Sequence, residues 1–115
     1  MLEFDMDWSF IRETIMKLAK VTMVRIYITE ASHLLKPIIN YLHNEEKVRG
    51  VSVFRAISGY GESGSHVSSL VDLSLNLPLT IEFFDHPEKA KKALEHVSTL
   101  VKPEHVVSWD AYASV

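Results

Sequence analysis

The segment Gly59–Ser65 holds three of the four glycines in the chain, and it is the first place where the sequence suggests a ligand. Its letters GYGESG match the G-x-G-x-x-G pattern of dinucleotide-binding loops. That pattern requires a helix directly after the glycines, because the helix N-terminus holds the pyrophosphate. A strand-like run, His66–Leu75, follows instead, so we reject the dinucleotide interpretation. Two interpretations stay open, a mobile connection between strands and a loop whose N–H groups close over a ligand.

His66 directly follows the glycine segment and is its most suggestive titratable neighbour. An imidazole there would contact an anionic ligand or respond to pH, and the alternative is an ordinary surface or hydrogen-bonded histidine. No carboxylate is evidently placed to orient it, and the nearby serines form no nucleophile elbow. We therefore predict no catalytic residue and no enzymatic activity. An enzyme that uses His66 with Glu82 or Asp85 is kept as an alternative hypothesis, although the sequence suggests no reaction for it.

Arg25, Arg55 and Glu82 lie on three strands that the predicted topology places side by side. If the three side chains share a face, Glu82 bridges the two arginines. The group is then either an ion network at a subunit interface or a pair of arginines that binds an anion at a cleft. The face of the sheet on which Arg55 lies is undecided, because Arg55 is spaced by two from the apolar residues Val53 and Ile57.

Composition excludes several other kinds of site. The chain of 115 residues has no cysteine, which rules out disulfides, thiolate chemistry and cysteine–zinc sites. The six histidines show no pairing at metal-ligand spacing, and the pair Glu30 and His33 is weak support for a metal ion. We predict no metal and no cofactor. A net charge of −3 and a pI near 6.0 argue against nucleic-acid binding, which needs a basic surface.

The same composition indicates one small globular domain. Apolar residues make up 47% of the chain, which permits an independent but thin core that association would strengthen. No apolar stretch approaches the ~20 residues that cross a bilayer. The N-terminus is acidic, unlike a signal peptide. Together with the lack of disulfides, these features lead us to expect a cytoplasmic protein without a membrane span.

The elements that must position the candidate residues follow from the spacing of the apolar residues. Four main strands are predicted, at Val21–Glu30, Val51–Ser58, Leu79–Asp85 and Val106–Trp109. The first strand has an apolar face and a mixed face, the latter made of Met23, Arg25 and Tyr27. Such a pattern suits a sheet with helices on one side and another subunit on the other.

Two helices connect these strands. The first begins near Pro37, which suits the first turn of a helix, and ends before Gly50. The second begins after Asp85, predicted as its cap, and ends before Pro103. The second helix carries one apolar stripe, formed by Ala90, Ala93, Leu94, Val97, Leu100 and Val101.

The resulting order β-α-β-β-α-β is the split βαβ, or ferredoxin-like, arrangement of the α+β class. Its antiparallel sheet would carry both helices on one face. The opposite face, with Tyr27, Glu82 and Phe84, needs cover, and contact in an oligomer is expected to supply it. Residues 8–19 predict an additional N-terminal helix. We therefore divide the chain into an N-terminal helical extension, residues 1–20, and a domain of residues 21–115.

The stretch from Arg25 to Asp85 resembles the PII-like family known as domain of unknown function 190. The matching pieces are RIYITE at 25–30, KP at 36–37, GVSVFRAISGYG at 50–61, His66, and LPLTIEFFD at 77–85. The resemblance implies the fold of PII signal-transduction proteins, which usually form trimers and bind adenine nucleotides between subunits. PII proteins meet partners through a loop after the second strand, and Gly59–His66 takes its place here. This loop is short, and no glycine-and-lysine phosphate segment precedes the last strand.

These features together lead us to expect a trimeric regulatory module that binds a small anionic ligand, with adenine nucleotides among the candidates, at a subunit boundary. Ligand binding would order the glycine loop and change what it presents to a protein partner. The residues assigned to the ligand are Arg25, Arg55, Gly59, Tyr60, Gly61, His66 and Glu82. The rival hypothesis is a structural interaction subunit without a small ligand, which docks through the Trp8–Leu18 helix.

Overall fold

The structure is a computed structural model that describes residues 17–59 and 77–114. The strands are β1, Leu18–Thr29; β2, Val51–Arg55; β3, Pro78–Asp85; and β4, Val106–Ser114. Helix α1, Leu35–Asn40, continues as a π-helical segment, Tyr41–Glu45, and helix α2 spans Pro87–Val97. Short 3-10 turns occupy Glu30–Ser32 and Pro103–His105.

The four strands form one antiparallel sheet in the order β2-β3-β1-β4. This order places β1 and β3 at the centre and confirms the predicted ferredoxin-like α+β fold. No helix within 17–59 or 77–114 is long and apolar enough to cross a membrane.

The hydrophobic core lies between one face of the sheet and the two helices. Alternate residues of the central strands point into it, as their period of two requires, and Ile26 lies directly opposite Ile81. Both of these side chains are fully buried. From the helices, the core receives Ile38, Leu42, Ala90, Ala93 and Val97. The described residues therefore form a two-layer structure, in which neither α1 nor α2 covers the second face of the sheet.

Strand pairing corrects two predicted boundaries. Leu18 and Ala19, predicted as the end of the N-terminal helix, belong to β1, where they pair with Ser114 and Ala113 of β4. Leu18 also fits a helical spacing, but the continuous pairing of β1 with β4, from Leu18 to Ile26, makes both residues part of the strand. Lys17, also predicted as helix, has no regular secondary structure, and residues 8–16 of the predicted helix lie outside the described residues. The strand thus crosses the predicted boundary between residues 20 and 21, and β4 runs five residues beyond Trp109.

Asp85 does not cap α2, contrary to the prediction. It is the last residue of β3, and His86 takes the N-cap position without a side-chain hydrogen bond. Asp85 is 4% exposed, and its carboxylate accepts hydrogen bonds from the backbone N–H of His86, at 2.8 Å, and of Arg49, at 3.3 Å. The side chain points into the core layer because it follows Phe83 at a spacing of two, and it links the segment before β2 to the end of β3.

Tyr41 joins the two helices. Its ring stacks on the imidazole of His96, with ring centroids 3.7 Å apart and planes 14° apart. Its hydroxyl donates to Oε2 of Glu46 at 3.0 Å and lies 3.4 Å from the carbonyl oxygen of Lys92. Burial, followed by the contact with Glu46, raises the pKa of Tyr41 to about 12.

The raised pKa of Tyr41 predicts a loss of stability in base. The unfolded phenol ionises near pH 10 whereas the folded one stays neutral up to about pH 12, so the stabilising contribution is complete below pH 10 and is lost as the pH rises to 12. We expect the difference in the free energy of unfolding between wild type and Tyr41→Phe to shrink by on the order of 2 kcal/mol over this window. Urea unfolding at several pH values measures it. A constant difference for Tyr41→Phe would contradict the prediction.

Candidate functional site

The sheet face opposite α1 and α2, which carries no helix of residues 17–59 and 77–114 and is named the helix-free face, is the first candidate surface. Met23, Arg25 and Tyr27 lie on it, with Phe84, Glu82 and Thr80 as their respective partners on β3. Large apolar side chains on this face are between 37% and 53% exposed: Tyr27, Phe54, Phe84, Val107 and Trp109. An apolar patch of this kind on a sheet is typical of a contact surface.

Arg25 lies on this face, on the central strand β1. Its Nε donates to Oε1 of Glu82 at 3.1 Å, and its guanidinium carbon lies 5.1 Å from the ring centroid of Trp109. The hydrogen bond with Glu82, and after it the one with Tyr27, raises the pKa of Arg25. A permanent cation beside aromatic rings can hold an anionic group and a flat apolar group at the same place.

Arg55 does not join this cluster. In the β2–β3 register Arg55 lies opposite Leu79, whereas Glu82 lies opposite Ser52. Residues 52 and 55 are three apart and therefore point to opposite faces, so Arg55 lies on the face that carries the helices. Its guanidinium instead binds the carboxylate of Glu30, just beyond the end of β1, and lowers the pKa of that carboxyl group. Glu82 thus does not bridge the two arginines, and each arginine has its own carboxylate.

Gly59 ends the first described stretch, beside the start of β3. Its φ of +153° is a backbone conformation that L side chains rarely adopt, which explains glycine at this position. Nearby, the N–H of Ala56 donates to the carbonyl of Pro78 at 3.0 Å and extends the β2–β3 pairing. The remaining predicted ligand residues, Tyr60, Gly61 and His66, lie outside the described residues, as do the rest of the glycine loop and the run His66–Leu75.

A groove lies beside the Glu30–Arg55 pair and was not predicted from the sequence. It has a volume of about 660 Å³, and the described residues that line it are Glu30, His33, Leu35, Lys36, Pro37 and Ile39. The sequence drew attention to Glu30 and His33 only as a weak metal pair. Within the described part of the chain, no three His, Cys, Asp or Glu side chains come together around a metal position. One sequence signal could have indicated the groove. It is the pair of apolar residues Leu35 and Ile39, four apart, with Lys36 between them.

Comparisons with known proteins agree with this architecture. The model of the family DUF190, described as an uncharacterized ACR, matches residues 21–113. A UPF0166 protein of Aquifex aeolicus (strain VF5) is 37% identical over 87 residues, which cover 71% of this chain and 83% of the relative.

Solved structures share the fold at lower identity. CPII from Thiomonas intermedia K12, bound to ADP and bicarbonate, superposes with a TM-score of 0.66 at 19% identity, over 87% of this chain and 94% of that one. A further structure of CPII, a nitrogen regulatory PII-like protein, is bound to ADP, AMP and bicarbonate. It superposes with a TM-score of 0.65 at 18% identity, over 87% and 93% of the two chains. These likenesses confirm the predicted PII-like fold.

Proposed function

The chain belongs to the DUF190 family, and from that premise we propose that it is a PII-like regulatory protein that senses a small anionic ligand at the subunit boundaries of a homotrimer. The observation that carries the proposal is the cluster of Arg25, Glu82 and Trp109 among the exposed apolar side chains of the helix-free face. An adenine nucleotide is the first candidate ligand, because CPII, which has the same fold, is bound to ADP in its solved structures.

The exposed apolar side chains support a subunit contact on this face. A sheet in a small domain normally buries its apolar faces, and three copies of this face around a three-fold axis would cover one another. Where such a contact ends, a cleft with Arg25 and Trp109 at its wall would form. A guanidinium binds phosphate or carboxylate oxygens in a bidentate manner, and an indole ring stacks on a purine, so both halves of a nucleotide find a partner.

The segment that follows β2 in the sequence supplies the rest of the proposed ligand set. Arg55 ends β2, Gly59 follows four residues later, and Tyr60, Gly61 and His66 come after it in the sequence. Because Arg55 points away from the helix-free face, it reaches a ligand from the end of the sheet, whereas Arg25 and Glu82 reach it from the sheet face. A ligand held between them would link the subunit boundary to the loop, which then changes what it presents to a protein partner.

Calorimetry tests this proposal. The chain is titrated with ADP, AMP, ATP, cyclic AMP and bicarbonate, and with ADP in the presence of bicarbonate, while light scattering measures the mass against three times the 13.1 kDa of one chain. We expect a trimer that binds at least one adenine nucleotide. Arg25→Ala should weaken that binding about tenfold or more, since charge-assisted hydrogen bonds are the strong ones.

Arg49→Ala is the matched control, because this exposed arginine is in none of the ion pairs of the described residues. It should bind nucleotide as the wild type does. The mass of Arg25→Ala is measured as well, so that loss of the trimer is not mistaken for loss of the ligand contact. A folded trimer that gives no heat with any of these compounds would contradict the proposal and favour the interaction subunit.

A further inference from the structure

We propose that the groove beside Glu30 is a second ligand site, within a single protomer, for a small anion with an apolar body, such as an aliphatic or aromatic carboxylate. The site goes beyond the proposed function because it needs no neighbouring subunit. It lies against α1 and the turn before it, away from the helix-free face that carries Arg25.

The groove has the size and lining of a small-molecule site. Its volume of about 660 Å³ falls within the range of ligand pockets, which run from roughly 300 to 1,000 Å³. Leu35, Pro37 and Ile39 supply apolar wall, and the polar groups of Glu30, His33 and Lys36 are few. A ligand that fits must therefore bury an apolar part and present one polar group.

The charges of the groove select an anion. Its one carboxylate among the described residues, that of Glu30, is already bound by the guanidinium of Arg55. Lys36 takes part in none of the ion pairs within residues 17–59 and 77–114. The ammonium of Lys36 is thus the uncompensated charge of the lining, and the His33 imidazole beside it offers a hydrogen bond.

The turn that carries Glu30 and His33 is held in place before any ligand arrives. Ser32 Oγ donates to the carbonyl of Thr29 at 2.6 Å and accepts from the N–H of Leu34 at 3.3 Å. The N–H of His33 donates to the carbonyl of Glu30 at 3.2 Å, and His33 itself has a left-handed backbone with φ 58°. A preorganised wall loses little conformational freedom when a ligand binds.

The ion pair at the edge of the groove gives the site a testable signature. A ligand carboxylate would compete with Glu30 for the guanidinium of Arg55. Removing the charge of Glu30 should therefore strengthen anion binding. If the role of Glu30 were purely structural, removing its charge would not strengthen anion binding.

Nuclear magnetic resonance on the full-length, ¹⁵N-labelled chain tests the site with 4-phenylbutyrate as the probe and neutral 4-phenylbutanol as its uncharged counterpart. We expect 4-phenylbutyrate to shift the amide signals of residues 30–39 and the alcohol to bind about tenfold more weakly.

Lys36→Gln should weaken 4-phenylbutyrate binding about tenfold. Glu30→Gln should strengthen it about threefold or more, because Arg55 is then free to bind the carboxylate. Lys91→Gln, at an exposed lysine of α2, is the control and should change nothing.

Three results would overturn the groove proposal: no shifts at residues 30–39, equal affinity for acid and alcohol, or weaker binding in Glu30→Gln. ADP calorimetry on the same samples separates the two proposals. ADP binding without a response to 4-phenylbutyrate contradicts the groove alone, whereas a groove response in a chain that binds no nucleotide contradicts the proposed function alone.

Discussion

The Val107→Lys variant should be monomeric at concentrations at which the wild-type chain forms the proposed trimer. Val107 is 45% exposed on the helix-free face and lies directly opposite Arg25 in the β1–β4 register. A lysine there places a second cation beside Arg25 and takes an unpaired ammonium into the contact, which costs several kcal/mol. Self-association should weaken by about 100-fold or more, and light scattering over a dilution series measures it.

Val53→Lys is the matched control for this experiment. Val53 is also a strand valine, 43% exposed, but it lies opposite Ile81 on the face that carries the helices. We expect the wild-type mass for this variant. If both variants keep the wild-type mass, the helix-free face is not the contact between subunits. If Val53→Lys alone dissociates, the contact lies on the other side of the sheet.

The Ile81→Ala variant should lose about 2 to 5 kcal/mol of folding stability, because it opens a cavity in a core that cannot fully collapse around it. Ile81 is fully buried at the centre of β3 and lies opposite Ile26, its partner in the core. Since small domains are stable by only about 5 to 15 kcal/mol, this single change removes a large part of the total. Urea unfolding followed by circular dichroism measures the loss.

Ile57→Ala makes the same chemical change at a side chain that is 93% exposed. It should alter the free energy of unfolding by no more than about 0.5 kcal/mol. Both variants are compared with the wild type at equal protomer concentration, because association adds to the apparent stability. Equal losses in the two variants would mean that Ile57 is buried by a contact that one protomer does not contain, or that the core is not centred on Ile81.

The fold was largely predictable from local patterns. Leu79–Asp85 alternates at a period of two and forms a strand, and the stripe from Ala90 to Val101 predicted the helix that buries Ala90, Ala93 and Val97. Errors occurred where two patterns competed. Leu18 fits the helical spacing of the residues before it, but pairing with β4 makes it strand. Asp85 has the chemistry of a helix cap, but its strand position turns the carboxylate inward.

The candidate site was predictable only in part. Arg25 and Glu82 were expected to be neighbours, and they are. Arg55 was grouped with them, yet the register places it on the other face, where Glu30 becomes its partner. The groove could not be predicted, because its walls come from a turn and a helix whose relative position depends on how α1 packs on the sheet.

The alternating burial of the central strands was thus determined by the sequence itself, because residue type and period are local properties of the chain. Only the tertiary structure decided which carboxylate each arginine meets and where a concave surface forms. Strand register is the physical reason. A shift by one residue moves a side chain to the opposite face of the sheet, and the register is set by pairing between strands that are distant in sequence, such as β2 with β3 and β1 with β4.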